Sequence, residues 1–264
     1  MKNILRKRLI IPLTVAIIAA ISLFIFSIMV AGANSYVNSI LGAKDAYDFP
    51  YSGEKTPELW GELKTQAERA ALCNIPEDVL RNMSTAGLIE TCMNYPFFFN
   101  FMFFNSPQQG FESIYQAFNG LKELYSRDDV ADIILNLNTS LNLQKLITNE
   151  KSHALKFNFI QMLSSQDEIL NKMTEKQRSE LFQISTNRIV EISEKHSDVF
   201  SVNFVLLLMG RILIIDNPEF AKIVDEHEQI KSFFETGLLM ISEDEYDSFV
   251  EKTEDIIRFS IIGR

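Results

Sequence analysis

Helix-start chemistry recurs along this chain and constrains its fold more than any other feature. Thr56-Pro57 offers a hydroxyl at an N-cap with proline at the first helical position. Ser106-Pro107 repeats that arrangement, and Gln109 at the third position completes a capping box. Ser165 with Glu168, Thr174 with Gln177 and Ser242 with Glu245 keep the same spacing, and Asn217-Pro218 is a further cap followed by proline. Such side-chain oxygens satisfy the backbone N–H groups that a helix's first turn leaves unpaired.

Between the caps the apolar residues fall at helical period. Phe220, Ile223, Val224, His227, Ile230 and Phe234 share one face, and Tyr246, Phe249, Val250, Ile257 and Ile261 share another. Leu181, Phe182, Ile184, Ile189 and Ile192 make a broader stripe. Val199–Ile215 and Leu146–Leu163 are apolar nearly all round, which assigns them to the centre of the fold. Convincing alternating strands are absent. The expected fold is all-α, roughly ten helices in an irregular bundle or a short solenoid-like stack of helix pairs.

The first 33 residues stand apart. Lys2, Arg6, Lys7 and Arg8 precede an apolar run, Leu9 to Val30, and the small residues Ala31, Gly32 and Ala33 follow it. This is the pattern of an export signal cut between Ala33 and Asn34. The apolar run is 22 residues, longer than usual for a cleaved signal and long enough to cross a bilayer core. A signal peptide and an uncleaved anchor through residues 9–30 are therefore both open. Either leaves the remainder extracytoplasmic: secreted if cleaved, otherwise held in the cytoplasmic membrane with the domain outside. Residues 34–55, with Gly42, Pro50 and Gly53 and no clear period, read as a flexible spacer, and residues 56–264 as a single helical domain.

Charge narrows the partners. The chain carries −10 at pH 7, and its first 33 residues hold four basic and no acidic side chains. The remainder is thus more acidic still, which argues against nucleic acid and against anionic lipid. Cys73 and Cys92 are the only cysteines. Export would permit a disulfide between them, and two small buried residues on facing helices is the alternative.

Catalytic signatures are scarce. His153, His196 and His227 stand apart from one another without a metal-binding spacing. His227 reads as a core histidine, and His196 as a helix-end residue favoured by the dipole. Glu243-Asp244-Glu245 and Asp128-Asp129 read as first-turn acids rather than cation sites. No nucleophile elbow, phosphate loop or Ca²⁺ loop occurs, so neither metal nor cofactor is expected. The oddest stretch is FFFNFMFF, with Phe97, Phe98, Phe99, Phe101, Phe103 and Phe104. It reads either as a short helix buried on all sides or as an aromatic surface for a partner, an apolar ligand or lipid.

The runs IPEDVLRNMSTAGLIETCMNYPFFF and FESIYQAFNGLKELYSRDD, then EKQRSELFQISTNRIVEIS and VFSVNFVLLLMGRIL, carry a family likeness across most of residues 57–215. This part of the chain resembles a helical domain of exported bacterial proteins of unknown function. The resemblance implies an exported all-helical domain and no activity. Its matched residues look structural: Pro96 closes a helix and Asn119-Gly120 breaks one. The expected function is that of a non-catalytic interaction module binding a protein or envelope component. The alternative is a hydrolase of envelope or extracellular polymers whose paired carboxylates meet only on folding.

Overall fold

A computed structural model describes residues 43–147 and 152–238, all within one compact unit. The proposed cleavage site at Ala33-Asn34, the apolar run of residues 9–30 and the expected final helix after Ser242 lie outside the described residues. Those residues form fourteen α-helices and one short 3-10 helix, with no strand among them. The all-α expectation holds, with more and shorter helices than expected.

The helices are α1 (Pro57–Glu62), α2 (Gln66–Leu72), α3 (Glu77–Asn82) and α4 (Thr85–Met93). The 3-10 helix Phe98–Phe103 follows, then α5 (Pro107–Ala117), α6 (Asn119–Ser126), α7 (Val130–Ser140) and α8 (Leu143–Ile147). The second half holds α9 (Ser152–Ser164), α10 (Asp167–Leu170), α11 (Glu175–Lys195), α12 (Asn203–Asp216), α13 (Pro218–Asp225) and α14 (Glu228–Thr236). Among the described residues no helix is long and apolar enough to cross a membrane.

Cap chemistry accounts for several of these starts. Thr174 and Gln177 form a full capping box at α11, and Thr65 with Glu68 forms another at α2. Ser84 accepts from Gly87 N at 3.0 Å to start α4. The Asn217 side chain accepts from both Glu219 N and Phe220 N at 3.1 Å, starting α13. Ser106 caps α5 through Gln109 N at 3.2 Å, without the return bond that would complete the box. Two expected caps fail. The Thr56 hydroxyl donates to Ser52 O at 3.1 Å, and that of Ser165 donates to Met162 O at 2.8 Å, so neither caps the helix that follows.

The apolar stretches organise the core. α12 is buried from Phe204 to Gly210 and again at Ile212 and Leu213, and α9, α11, α13 and α14 all pack against it. Val199–Ile215 is therefore central, as its all-round apolarity requires. The arrangement is an irregular bundle about α12. The Phe220–Phe234 stripe belongs to two helices instead of one. His227 sits at their junction, with extended backbone at the N-cap of α14, and is half-buried rather than a core residue. His196 does end a helix: it is the C-cap of α11, and its ring meets Phe200 edge-on at 6.3 Å. Asn119-Gly120 lies at the break between α5 and α6 but opens the second helix instead of ending the first.

Residues 43–55 correct the spacer boundary. The Asp45 carboxylate accepts from Ser84 N at 2.6 Å and Ser84 Oγ at 2.9 Å, and Tyr47 N donates to Thr91 Oγ1 at 2.8 Å. Phe49 is buried against Tyr95 and Phe118, with ring centroids 5.9 Å away in each case. This segment is a strap bonded across α4, because its aromatic and acidic side chains find partners that composition alone does not show.

Candidate functional site

The expected aromatic patch divides into an inner and an outer part. Phe98 is buried against Phe159, with centroids 4.7 Å apart, while Phe97 stacks on Trp60 at 5.4 Å and is half-buried like Phe99. Phe103 and Phe104 are 62% and 43% exposed. The side chain of Phe101 lies outside the described ones. Burial on all sides is therefore incorrect for this stretch: a short 3-10 helix has two faces, and only one meets the core. Cys73 and Cys92 are both buried and free, so no disulfide joins them. Burial pushes the Cys73 thiol up to about 12, and the Cys92 thiol is also raised by burial; both are inert at neutral pH.

The concave feature lies elsewhere. A cleft of about 520 Å³ opens among α5, α6, α10, α12, α13 and α14. Arg211, on α12, lies at its floor and ties the walls together. Its Nε donates to Phe234 O at 2.8 Å, and its Nη2 to Glu235 O at 3.1 Å and Gln108 Oε1 at 2.9 Å. Its Nη1 donates to Ser165 O at 3.2 Å. One guanidinium thus joins the start of α5, the turn before α10 and the last turn of α14, whose terminal carbonyls need donors. Gln108 and Gln166 exchange amide bonds at 3.0 and 3.3 Å, and Gln108 also donates to Glu112 Oε1 at 3.1 Å.

Every acceptor of Arg211 is neutral, so among the described residues the charge at the floor has no ion pair. Burial holds its pKa below the ordinary value, while the Asp167 carboxylate, closest in effect among the nearby acids, acts against that. Tyr115 and Tyr125 stack at 5.1 Å along one wall. Tyr125 is 9% exposed, and its hydroxyl makes no hydrogen bond among the described residues. Burial raises its pKa above the ordinary tyrosine value, and the neighbouring Glu168 carboxylate adds to that. Glu112, Asp167, Glu168 and Glu235 stand exposed around the mouth. Lys231 also lines the cleft but is paired with Asp225 at 3.0 Å.

None of these residues stands out in the sequence as a motif. One signal was present: Arg211 is the lone charge inside Phe204–Ile215, and a cation in an otherwise apolar helix must find a partner. His196 and His227 take no part in the cleft, and the side chain of His153 lies outside the described ones. Among the described residues no three His, Cys, Asp or Glu side chains converge as metal ligands. No protein-family model, curated protein or solved structure matches the chain.

Proposed function

We propose that this is an exported helical protein, freed by cleavage after Ala33 or anchored through residues 9–30, that acts as a non-catalytic interaction module outside the cytoplasm. Its partner is a protein or a component of the cell envelope. The basic start, apolar run and small-residue site support export, and the likeness to exported helical domains agrees with it. The cleft is the observation that carries the binding role. Its floor is braced by Arg211 on three backbone carbonyls and Gln108, so the walls are preorganised before any ligand arrives. Its charged residues at the mouth are exposed, a placement suited to attracting a partner.

A photo-crosslinking side chain at Glu112, on the rim, tests the reading in native cells against the same group at exposed Glu180 on α11. A reproducible adduct from the rim position alone supports it. Equal adducts from both positions, or none from either, overturn it.

The second reading is a hydrolase of envelope or extracellular polymers, favoured by the gathering of Glu112, Asp167, Glu168 and Glu235 in one cleft. A proton-donating carboxyl is usually held in a drier setting than an exposed rim, which places this reading second. Polymer cleavage abolished by Glu168→Gln would reverse the order.

A further inference from the structure

We infer that the exposed Phe103–Phe104 face is a docking site for this chain's own C-terminal segment, residues 239–264, which lays its apolar stripe on the two rings. The inference concerns the aromatic stretch and does not rest on the cleft.

The first observation is an apolar surface left open beside a finished core. Phe103 and Phe104 are 62% and 43% exposed, while Phe98 of the same 3-10 helix is buried. Among the described residues they are the only exposed phenylalanines. Two adjacent rings in water forgo the burial that their area would bring, and such a pair marks a contact surface.

The second is an apolar stripe in need of a surface. Tyr246, Phe249, Val250, Ile257 and Ile261 share one face of the helix expected after Ser242, and Asp244, Ser248, Glu251 and Asp255 fall on the other. Helices of this length draw most of their stability from packing the apolar face against a partner. The segment lies outside the described residues, so its stripe is known from sequence alone.

The third is where the chain leaves the described fold. Gly237 ends α14 with a φ of 70°, its N–H donating to Phe233 O at 2.8 Å, and Leu238 N donates to Thr236 Oγ1 at 3.1 Å. A Cβ placed on Gly237 would stand 3.4 Å from the Cβ of Pro107, so the exit touches the first residue of α5. Arg211 fixes the same junction through Glu235 O and Gln108 Oε1. Phe104 precedes Pro107 by three residues, at most about 11 Å along the backbone. Only Leu238, Leu239, Met240 and Ile241 separate Gly237 from Ser242, a reach of about 13 Å. The stripe therefore starts beside the open rings. A tether that short sets an effective concentration of order millimolar, against which any separate partner competes.

The test is to put p-benzoylphenylalanine in place of Phe103 in the full-length chain in nonionic detergent, irradiate it and map the adduct by mass spectrometry. The same group in place of Val190, 51% exposed on α11, is the reference. The expected product has monomer mass and joins position 103 to a peptide within residues 239–264, with little or none from position 190. Phe249→Ser with Val250→Ser, in the stripe, should lower its yield about tenfold. Glu251→Gln with Asp255→Asn, on the other face, should leave it unchanged.

Every other result overturns the assignment. An adduct between isotopically labelled and unlabelled copies in a mixture means that the face joins two chains. Adducts to detergent alone, or none, mean that the tail does not reach the rings. Equal tail adducts from both positions mean that the tail wanders over the surface. A yield indifferent to the stripe substitution means nearness without docking.

Discussion

Arg178 and Arg211 do the same mechanical task in two corners of the molecule, and they differ in how their charge is met. Arg178 closes the corner where α10, α11 and α12 meet. Its Nη1 donates to Leu170 O at 3.2 Å and Met173 O at 2.6 Å, and its Nε and Nη2 grip the Asp216 carboxylate at 2.9 and 2.6 Å. Arg211 likewise bonds carbonyls at a helix end, but its remaining partner is the neutral amide of Gln108. The bond to Asp216 raises the pKa of Arg178, whereas burial lowers that of Arg211. The first corner is neutral and closed. The second keeps a cation that no carboxylate bonds directly, beneath an acidic mouth. Corners of the first kind hold a fold together, and a corner of the second kind can also receive something.

The largest expected effect tests the closed corner. Asp216→Ala leaves the Arg178 guanidinium buried beside no anion, since the two side chains are only 9% and 14% exposed. Breaking such a pair should cost about 3–5 kcal/mol in urea unfolding. Arg211→Met removes a cation that makes no direct bond to an anion and strands only neutral acceptors. Its cost should be about 1–3 kcal/mol. If the Arg211 variant loses as much as the Asp216 variant, the two corners are equivalent and the contrast fails.

The helical caps at Ser106, Thr174 and Asn217 and the central place of α12 were legible in the sequence, because both follow from patterns local to a few turns. The cleft was not. Arg211 and Gln108 are 103 residues apart, and packing alone brings them together. The Phe-rich stretch failed for a different reason. A run of one residue type contains no polarity that separates its faces, so Phe98 inside and Phe103 outside look alike until the 3-10 turn is placed. The strap at residues 43–55 was missed because its anchors, Asp45 and Phe49, find partners on α4 and beyond through tertiary contacts only.

Gly210 offers an intermediate perturbation that separates the corners along one helix. It lies on α12 directly under the Phe234 ring of α14, and a methyl added there would overlap that ring. Gly210→Ala should destabilise the protein by about 1–3 kcal/mol through overpacking. The strain should appear as lost amide-exchange protection in α14 (Glu228–Thr236), the wall that Arg211 holds. Protection at the start of α11, beside Arg178, should be unchanged. Loss at both ends would mean that α12 couples the corners rigidly, and the cleft could not adjust on its own.

The smallest effect at neutral pH concerns the tyrosine wall of the cleft. Among the described residues the Tyr125 hydroxyl has no hydrogen-bond partner, so Tyr125→Phe strands nothing there and should change stability by less than about 0.5 kcal/mol at pH 7. High pH should expose a difference. A tyrosine in the unfolded chain ionises near pH 10, whereas burial holds the Tyr125 proton to higher pH in the folded state. Above that point the unfolded state binds fewer protons than the folded one, so stability falls as pH rises, by about 1.4 kcal/mol per pH unit for one such group. Tyr95 and Cys73, also raised by burial, pull in the same direction and remain in the variant. Urea midpoints at pH 9, 10 and 11 should therefore fall in both proteins, and less steeply in Tyr125→Phe. Equal slopes would show the phenol ionising as freely in the fold as out of it. The tyrosine wall would then be wet, and Arg211 would owe its lowered pKa to something other than burial in this corner.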